Sequence, residues 1–145
     1  MTLDMIRLKS MKYVKIGRSE VSDMETYKLG EMEEKLADLI WEHAPVRSGE
    51  LVRLCEEAFS WKRTTTYTML KRLCERGLFV NENGIVSAHM SREEFQGGRG
   101  EQFLKENFEG SLPLFVASFV RRKKLKDEEI RMLKDLIDSY EEEQL

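Results

Sequence analysis

From Leu29 onward the apolar residues recur at helical spacing. Met32, Leu36, Leu39, Ile40 and His43 make one stripe, with Gly30 as a cap, Glu31, Glu33 and Glu34 in a favourable first turn, and Pro45 as the stop. A second stripe runs from about Ser48 through Leu51, Cys55, Ala58 and Phe59 and ends near Ser60. The third segment, "SWKRTTTYTMLKRLCERG", separates into two faces at a helical period: Met69, Leu70, Leu73 and Cys74 point one way with Thr66. Thr64, Thr65, Thr68, Lys71, Arg72 and Glu75 point the other way, and Gly77 ends the helix. The period then shortens. Two β-prone runs, 78–81 and 85–89, flank Asn83-Gly84, a strong signal for a two-residue hairpin.

Helical spacing returns at Ser91, which forms a capping box with Glu94, and Phe95, Phe103, Leu104 and Phe108 supply its apolar positions. Gly97, Gly98 and Gly100 interrupt this helix, each at a cost of about 1 kcal/mol against alanine, and mark a candidate hinge. "GSLPLFVASFV" starts a helix at Ser111 with Pro113 in its first turn. "KDEEIRMLKDLIDSYEEE" puts Ile130, Leu133, Leu136, Ile137 and Tyr140 on one face. Three such short helices form too little core to stand alone, and the simplest partner is a second copy of the chain.

Three helices followed at once by a hairpin is the order of a winged helix-turn-helix. The expected fold is mainly α with a small β-hairpin wing. It comprises an N-terminal extension over 1–28, a winged-helix DNA-binding domain over 29–90 and a helical dimerisation domain over 91–145. The extension has no sustained period. Its first 18 residues hold Arg7, Lys9, Lys12, Lys15 and Arg18 against Asp4 alone. A disordered or loosely docked tail is the default reading, and a flexible arm on DNA phosphates the alternative.

Composition narrows the function classes. The 145 residues carry 24 basic and 27 acidic side chains, a net charge of -3, which excludes a histone-like basic protein and an acidic disordered tail. It leaves nucleic acid open, because a local basic face matters more than the sum. Residues 62–76 hold Lys62, Arg63, Lys71, Arg72 and Arg76 against Glu75, a local balance of +4. The second helix of a helix-turn-helix lies in the major groove. There a threonine hydroxyl can bond a phosphate or base edge, its methyl can touch a thymine methyl, and cations supply salt-dependent attraction. The expected DNA-contact set is Lys62, Arg63, Thr64, Thr65, Thr68, Lys71 and Arg72; an ordinary solvated face is the competing reading. Trp41, Trp61 and Tyr67 read as packing residues.

Enzyme chemistry finds no support. There is no nucleophile–base pattern, phosphate-binding glycine loop or metal motif, and His43 and His89 lie far apart. Cys55 and Cys74 read as small buried hydrophobes rather than a disulfide or zinc ligands, and no cofactor is expected. No apolar run is long enough to span a bilayer and no signal-peptide block is evident, so a cytoplasmic protein without membrane insertion is expected.

The chain resembles the penicillinase-repressor family, which includes the methicillin-resistance and copper-transport repressors. The resemblance is carried by "LGEMEEKLADLIWEHAPVRSGELVRLC", by a following W…T-x-x-T-x-L-x-R-L-x-x-x-G, and by "SREEFQGGRGEQFLKENFEGSLPLFVASFV" after the hairpin, and spans about residues 29–140. It implies a bacterial homodimeric transcriptional repressor whose winged helices sit on a two-fold-related operator of double-stranded DNA. Family DNA contacts fall by position on Thr65, Thr68 and Arg72, with Lys62, Arg63 and Thr64 beside them. The dimerisation region then comprises Phe103, Phe108, Leu112, Phe115, Val116, Phe119, Leu133, Leu136 and Ile137. Members answering β-lactams are cut by a membrane sensor protease at an Asn-Phe bond; the matching pair, and candidate cleavage site, is Ser118-Phe119. The chain also departs from the family. Lys62 and Arg63 replace its usual Ser-Pro, "VSAHM" replaces an aromatic wing strand, and the paired-cysteine motif of the copper sensors is absent. Two alternatives remain: a winged-helix protein-interaction module without DNA binding, and a repressor relieved by a ligand or partner rather than by proteolysis.

Overall fold

The computed structural model describes residues 26–144; Arg7, Lys9, Lys12, Lys15 and Arg18 of the N-terminal extension lie outside that range. Helix α1 (Glu31–His43) follows Gly30, whose amide donates to Glu33 Oε1 at 2.8 Å. Its buried side chains are Glu33, Leu36, Ala37 and Ile40, whereas Met32 and His43 are exposed. The stripe is thus rotated from the one the apolar residues predict, because a carboxylate sits inside it.

A two-residue strand β1 (Val46–Arg47) leads directly into α2 (Ser48–Phe59), where Leu51 and Cys55 face inward while Ala58 is exposed, against expectation. Ser60 ends α2 with φ +60°, and Phe59 and Trp61 stack at 5.0 Å. Helix α3 (Arg63–Glu75) buries Thr66, Met69, Leu70 and Leu73. It ends in a Schellman motif: Gly77, at φ +89°, donates to Cys74 O at 3.0 Å and Leu78 donates to Leu73 O at 3.2 Å. Only glycine takes that backbone conformation without cost.

Strands β2 (Phe79–Glu82) and β3 (Ile85–Ala88) pair antiparallel around Asn83 and Gly84, both at positive φ, the two-residue turn that the sequence predicts. Sequence reading missed β1, which adds to β3 with Val46 opposite Val86 and Arg47 opposite Ile85, giving the sheet order β1-β3-β2. Two residues are too few to show a period. The core joins Leu36, Ile40, Leu51, Cys55, Leu73, Leu78, Phe79, Val86 and Phe95, all fully or almost fully buried. Trp41 stacks on Phe79 and Phe95 at 5.2 and 5.4 Å and donates from Nε1 to Met90 O.

Helix α4 (Arg92–Asn107) starts with the expected box, Ser91 N donating to Glu94 Oε1 and Glu94 N to Ser91 Oγ. It runs unbroken through Gly97, Gly98 and Gly100, so the expected interruption is not there. Gly98 has a packing reason instead: a Cβ added to it would lie 2.1 Å from the Tyr27 ring, which also packs on Phe95. Arg92 pairs with Asp38 on one side of the glycines, and Arg99 pairs with Glu34 among them, so α1 grips this part of α4.

Contacts divide the chain after Gln102. The second unit contains the end of α4, then α5 (Leu112–Arg122) and α6 (Asp127–Gln144). Ser111 caps α5 by accepting from Leu114 N, with Pro113 in the first turn as expected. Phe103, Phe108, Phe115 and Phe119 form a chain of ring contacts, yet no described residue of this unit is buried.

Candidate nucleic-acid interface

Helix α3 carries the candidate site, and the core on its other side fixes which residues face out. Lys62, Arg63, Thr64, Thr68, Lys71 and Arg72 are exposed; Thr65 is half-buried. Thr66, the third of the consecutive threonines, is buried behind them, its hydroxyl lacking a well-formed hydrogen bond and facing the Cys55 thiol. One threonine therefore belongs to the core and the others to the outward side.

The cations on this face are of two kinds. None of Lys62, Arg63, Lys71 and Arg72 forms an ion pair among the described residues. Arg76, counted with them in the sequence balance, is withdrawn: its Nε lies 3.0 Å from Glu33 Oε2, and its carbonyl accepts from Thr26 Oγ1 at 2.9 Å. Burial pushes the Glu33 carboxyl up, but the Gly30 amide and the Arg76 guanidinium, with a smaller contribution from the Arg72 charge, outweigh it and hold the group below the usual carboxylate range. These contacts tie the C-terminal end of α3 to Glu33 of α1 and to Thr26.

Its N-terminal end is braced by Tyr67. That residue is half-buried, as a packing residue would be, but its hydroxyl donates to Ser48 Oγ at 3.1 Å and the Arg63 guanidinium lies over its ring at 5.2 Å. Ser48 opens α2, so the ring ties the two helices of the helix-turn-helix and steadies one of the outward cations. Arg47 is a further exposed cation, next to the hairpin through its pairing with Ile85. Sequence reasoning missed it because β1 is invisible to periodicity. The hairpin itself offers Asn81, Glu82 and Asn83 to solvent and carries no cation.

Burial pushes the Cys55 and Cys74 thiols up, so both are held as neutral packing groups. Among the described residues no group of three or more His, Cys, Asp and Glu side chains could hold a metal ion, and no helix is long and apolar enough to cross a membrane. In the second unit Phe103, Leu112, Val116, Phe119, Leu133, Leu136 and Ile137 are exposed, while Phe108 and Phe115 are half-buried in the ring cluster. Ser118 is half-buried and lies with Phe119 inside continuous α5.

Three helices, the third with an outward cationic face, closed by a three-stranded sheet, define a winged-helix protein. The chain belongs to the penicillinase-repressor family, a family of transcriptional repressors, whose model matches residues 29–139. It is 22% identical over 116 residues to the penicillinase repressor of Bacillus licheniformis, covering 77% of this chain and 91% of that one.

Proposed function

We propose that the protein is a homodimeric, sequence-specific DNA-binding repressor. Each α3 occupies a major groove of a two-fold-related operator, and Lys62, Arg63, Thr64, Thr65, Thr68, Lys71 and Arg72 make the contacts. The observation that carries this reading is a set of four exposed cations without ion-pair partners, Lys62 and Arg63 at the start of α3 and Lys71 and Arg72 further along it, with exposed Thr64 and Thr68 on the side of the helix away from the core. Solvated helix faces usually mix both signs of charge; this one holds Glu75 alone against them. The exposed apolar residues of α5 and α6 support the dimer, which buries them against a second copy.

Relief of repression by a ligand or partner is favoured over cleavage at Ser118-Phe119. Position 118 holds Ser where the cleaved relatives have Asn, so the residue pair such a protease would cut is altered. A membrane sensor protease is accordingly the weaker candidate partner.

The test is selection from a random pool of duplex DNA at two salt concentrations. Enrichment of an inverted repeat whose affinity falls steeply with salt is the expected result. Arg72→Ala then weakens specific binding by about 1–3 kcal/mol, whereas Lys71→Ala weakens binding to all sequences and flattens the salt dependence. No enrichment and no salt dependence would leave α3 as solvated surface and favour a protein-interaction module.

A further inference from the structure

Charge in the second unit is segregated along the chain. Arg121, Arg122, Lys123, Lys124 and Lys126 stand within six consecutive residues at the end of α5 and in the turn after it, all exposed. None forms an ion pair among the described residues. From Asp135 to the end of α6, Asp135, Asp138, Glu141, Glu142 and Glu143 carry the opposite charge in equal number, also exposed, also without ion-pair partners, and with Lys134 as their cationic neighbour. Asp127, Glu128 and Glu129 lie beside the cation run, but they occupy the first turn of α6 and answer its dipole; Glu129 Oε1 also accepts from Lys126 N. They leave the run in excess.

One chain does not pair its own two ends. At 1.5 Å per residue, Lys126 and Glu142 stand roughly 24 Å apart along α6, well beyond the ~8 Å screening length at physiological salt. Between them runs the exposed apolar face of Ile130, Leu133, Leu136, Ile137 and Tyr140.

We propose that a second copy of the chain covers this face in one polarity, with the cation run 121–126 of each copy receiving the acidic end 135–143 of the other. The inference rests on the homodimer reading and adds the rule that orients it. A two-fold axis makes the contact twice, so five charges of each sign meet their opposites on both sides. The reverse polarity sets cations against cations and acids against acids. The apolar face supplies affinity, and the charges select orientation and speed encounter.

Charge reversal of the full-length chain, followed by sedimentation equilibrium at low and high salt, tests this. One variant carries Glu141→Lys, Glu142→Lys and Glu143→Lys; the other carries Arg121→Glu, Arg122→Glu, Lys123→Glu and Lys124→Glu, with helix content checked by circular dichroism. The wild type is expected to be dimeric and to dissociate more readily as salt rises. Each variant alone should self-associate roughly tenfold or more weakly at low salt, since like charges then meet at both contacts. An equimolar mixture should recover a tight heterodimer, because every reversed end faces a reversed partner. A wild type that is monomeric throughout would remove the homodimer reading itself. A dimeric wild type whose variants self-associate equally well, or fail to recover on mixing, would overturn the polarity alone. A run variant that dimerises normally but loses DNA affinity equally on all sequences would also overturn it and reassign the run to DNA phosphates.

Discussion

Up to Gln102 the apolar stripes of the helices are sealed by one another and by the sheet, and Leu36, Leu51, Leu73 and Phe95 are out of contact with water. After it, α5 and α6 carry stripes just as regular, yet Leu136 keeps 66% of its surface exposed and Tyr140 keeps 61%. The same pattern of sequence thus has two outcomes. Amphipathicity says that a face must be covered, not whether its own chain covers it. In the first unit α1 to α3, the start of α4 and the three-stranded sheet enclose a common interior; in the second, helices joined by short turns leave their stripes exposed. One unit covers its apolar faces from within, and the other leaves them exposed.

The comparison breaks most readily at Leu36. Leu36→Ala should lower unfolding stability by about 3 kcal/mol at any protein concentration, whereas Leu136→Ala should act only on the concentration-dependent part; urea melts at two protein concentrations separate them. Equal, concentration-independent losses would mean that both units stand alone. Next in size is Glu33→Gln, expected to cost about 2 kcal/mol because a neutral amide replaces the buried carboxylate that accepts from both the Gly30 amide and the Arg76 guanidinium. The Glu33 carboxyl is held below its ordinary value, so its contribution is complete above about pH 4.5 and is lost as the pH falls through the lowered folded value. The wild type should therefore weaken with acid more steeply than the variant, read from melting temperature against pH.

Smaller effects sharpen the account of α4. Gly98→Ala should destabilise by about 1–2 kcal/mol by displacing Tyr27, while Gly97→Ala and Gly100→Ala, with open space around them, should stabilise by about 0.5–1 kcal/mol. Thermal melts of the three give opposite signs if the glycines have different reasons to be there, and the same sign if all serve as a hinge. Least of all, Thr66→Val should raise stability by up to about 1 kcal/mol, since it removes a buried hydroxyl without a well-formed partner and keeps the shape.

Much of the fold was legible in the sequence, and for physical reasons. The six helices between residues 31 and 144 follow from periodicity and from Gly77, Pro45 and Ser111 at their ends; the hairpin follows from Asn83-Gly84, where two residues of positive φ are needed. The division of α3 into an outward and an inward face was legible too, with Thr66 falling inside. What escaped was long-range. Glu33 looked like a first-turn acid because its partner Arg76 lies 43 residues on. Arg76 looked like part of the basic face for the same reason. Strand β1 is shorter than any period, and Gly98 looked like a helix breaker because Tyr27, which fills its place, is remote in sequence.

That last contact also has a consequence in time. Tyr27 leaves the ribosome well before Gly98, the residue it rests on, and Thr26 well before the Arg76 carbonyl that receives its hydroxyl hydrogen bond. The earliest described residues to be synthesised can therefore reach these partners only after the chain of α3 and of the first half of α4 has been made.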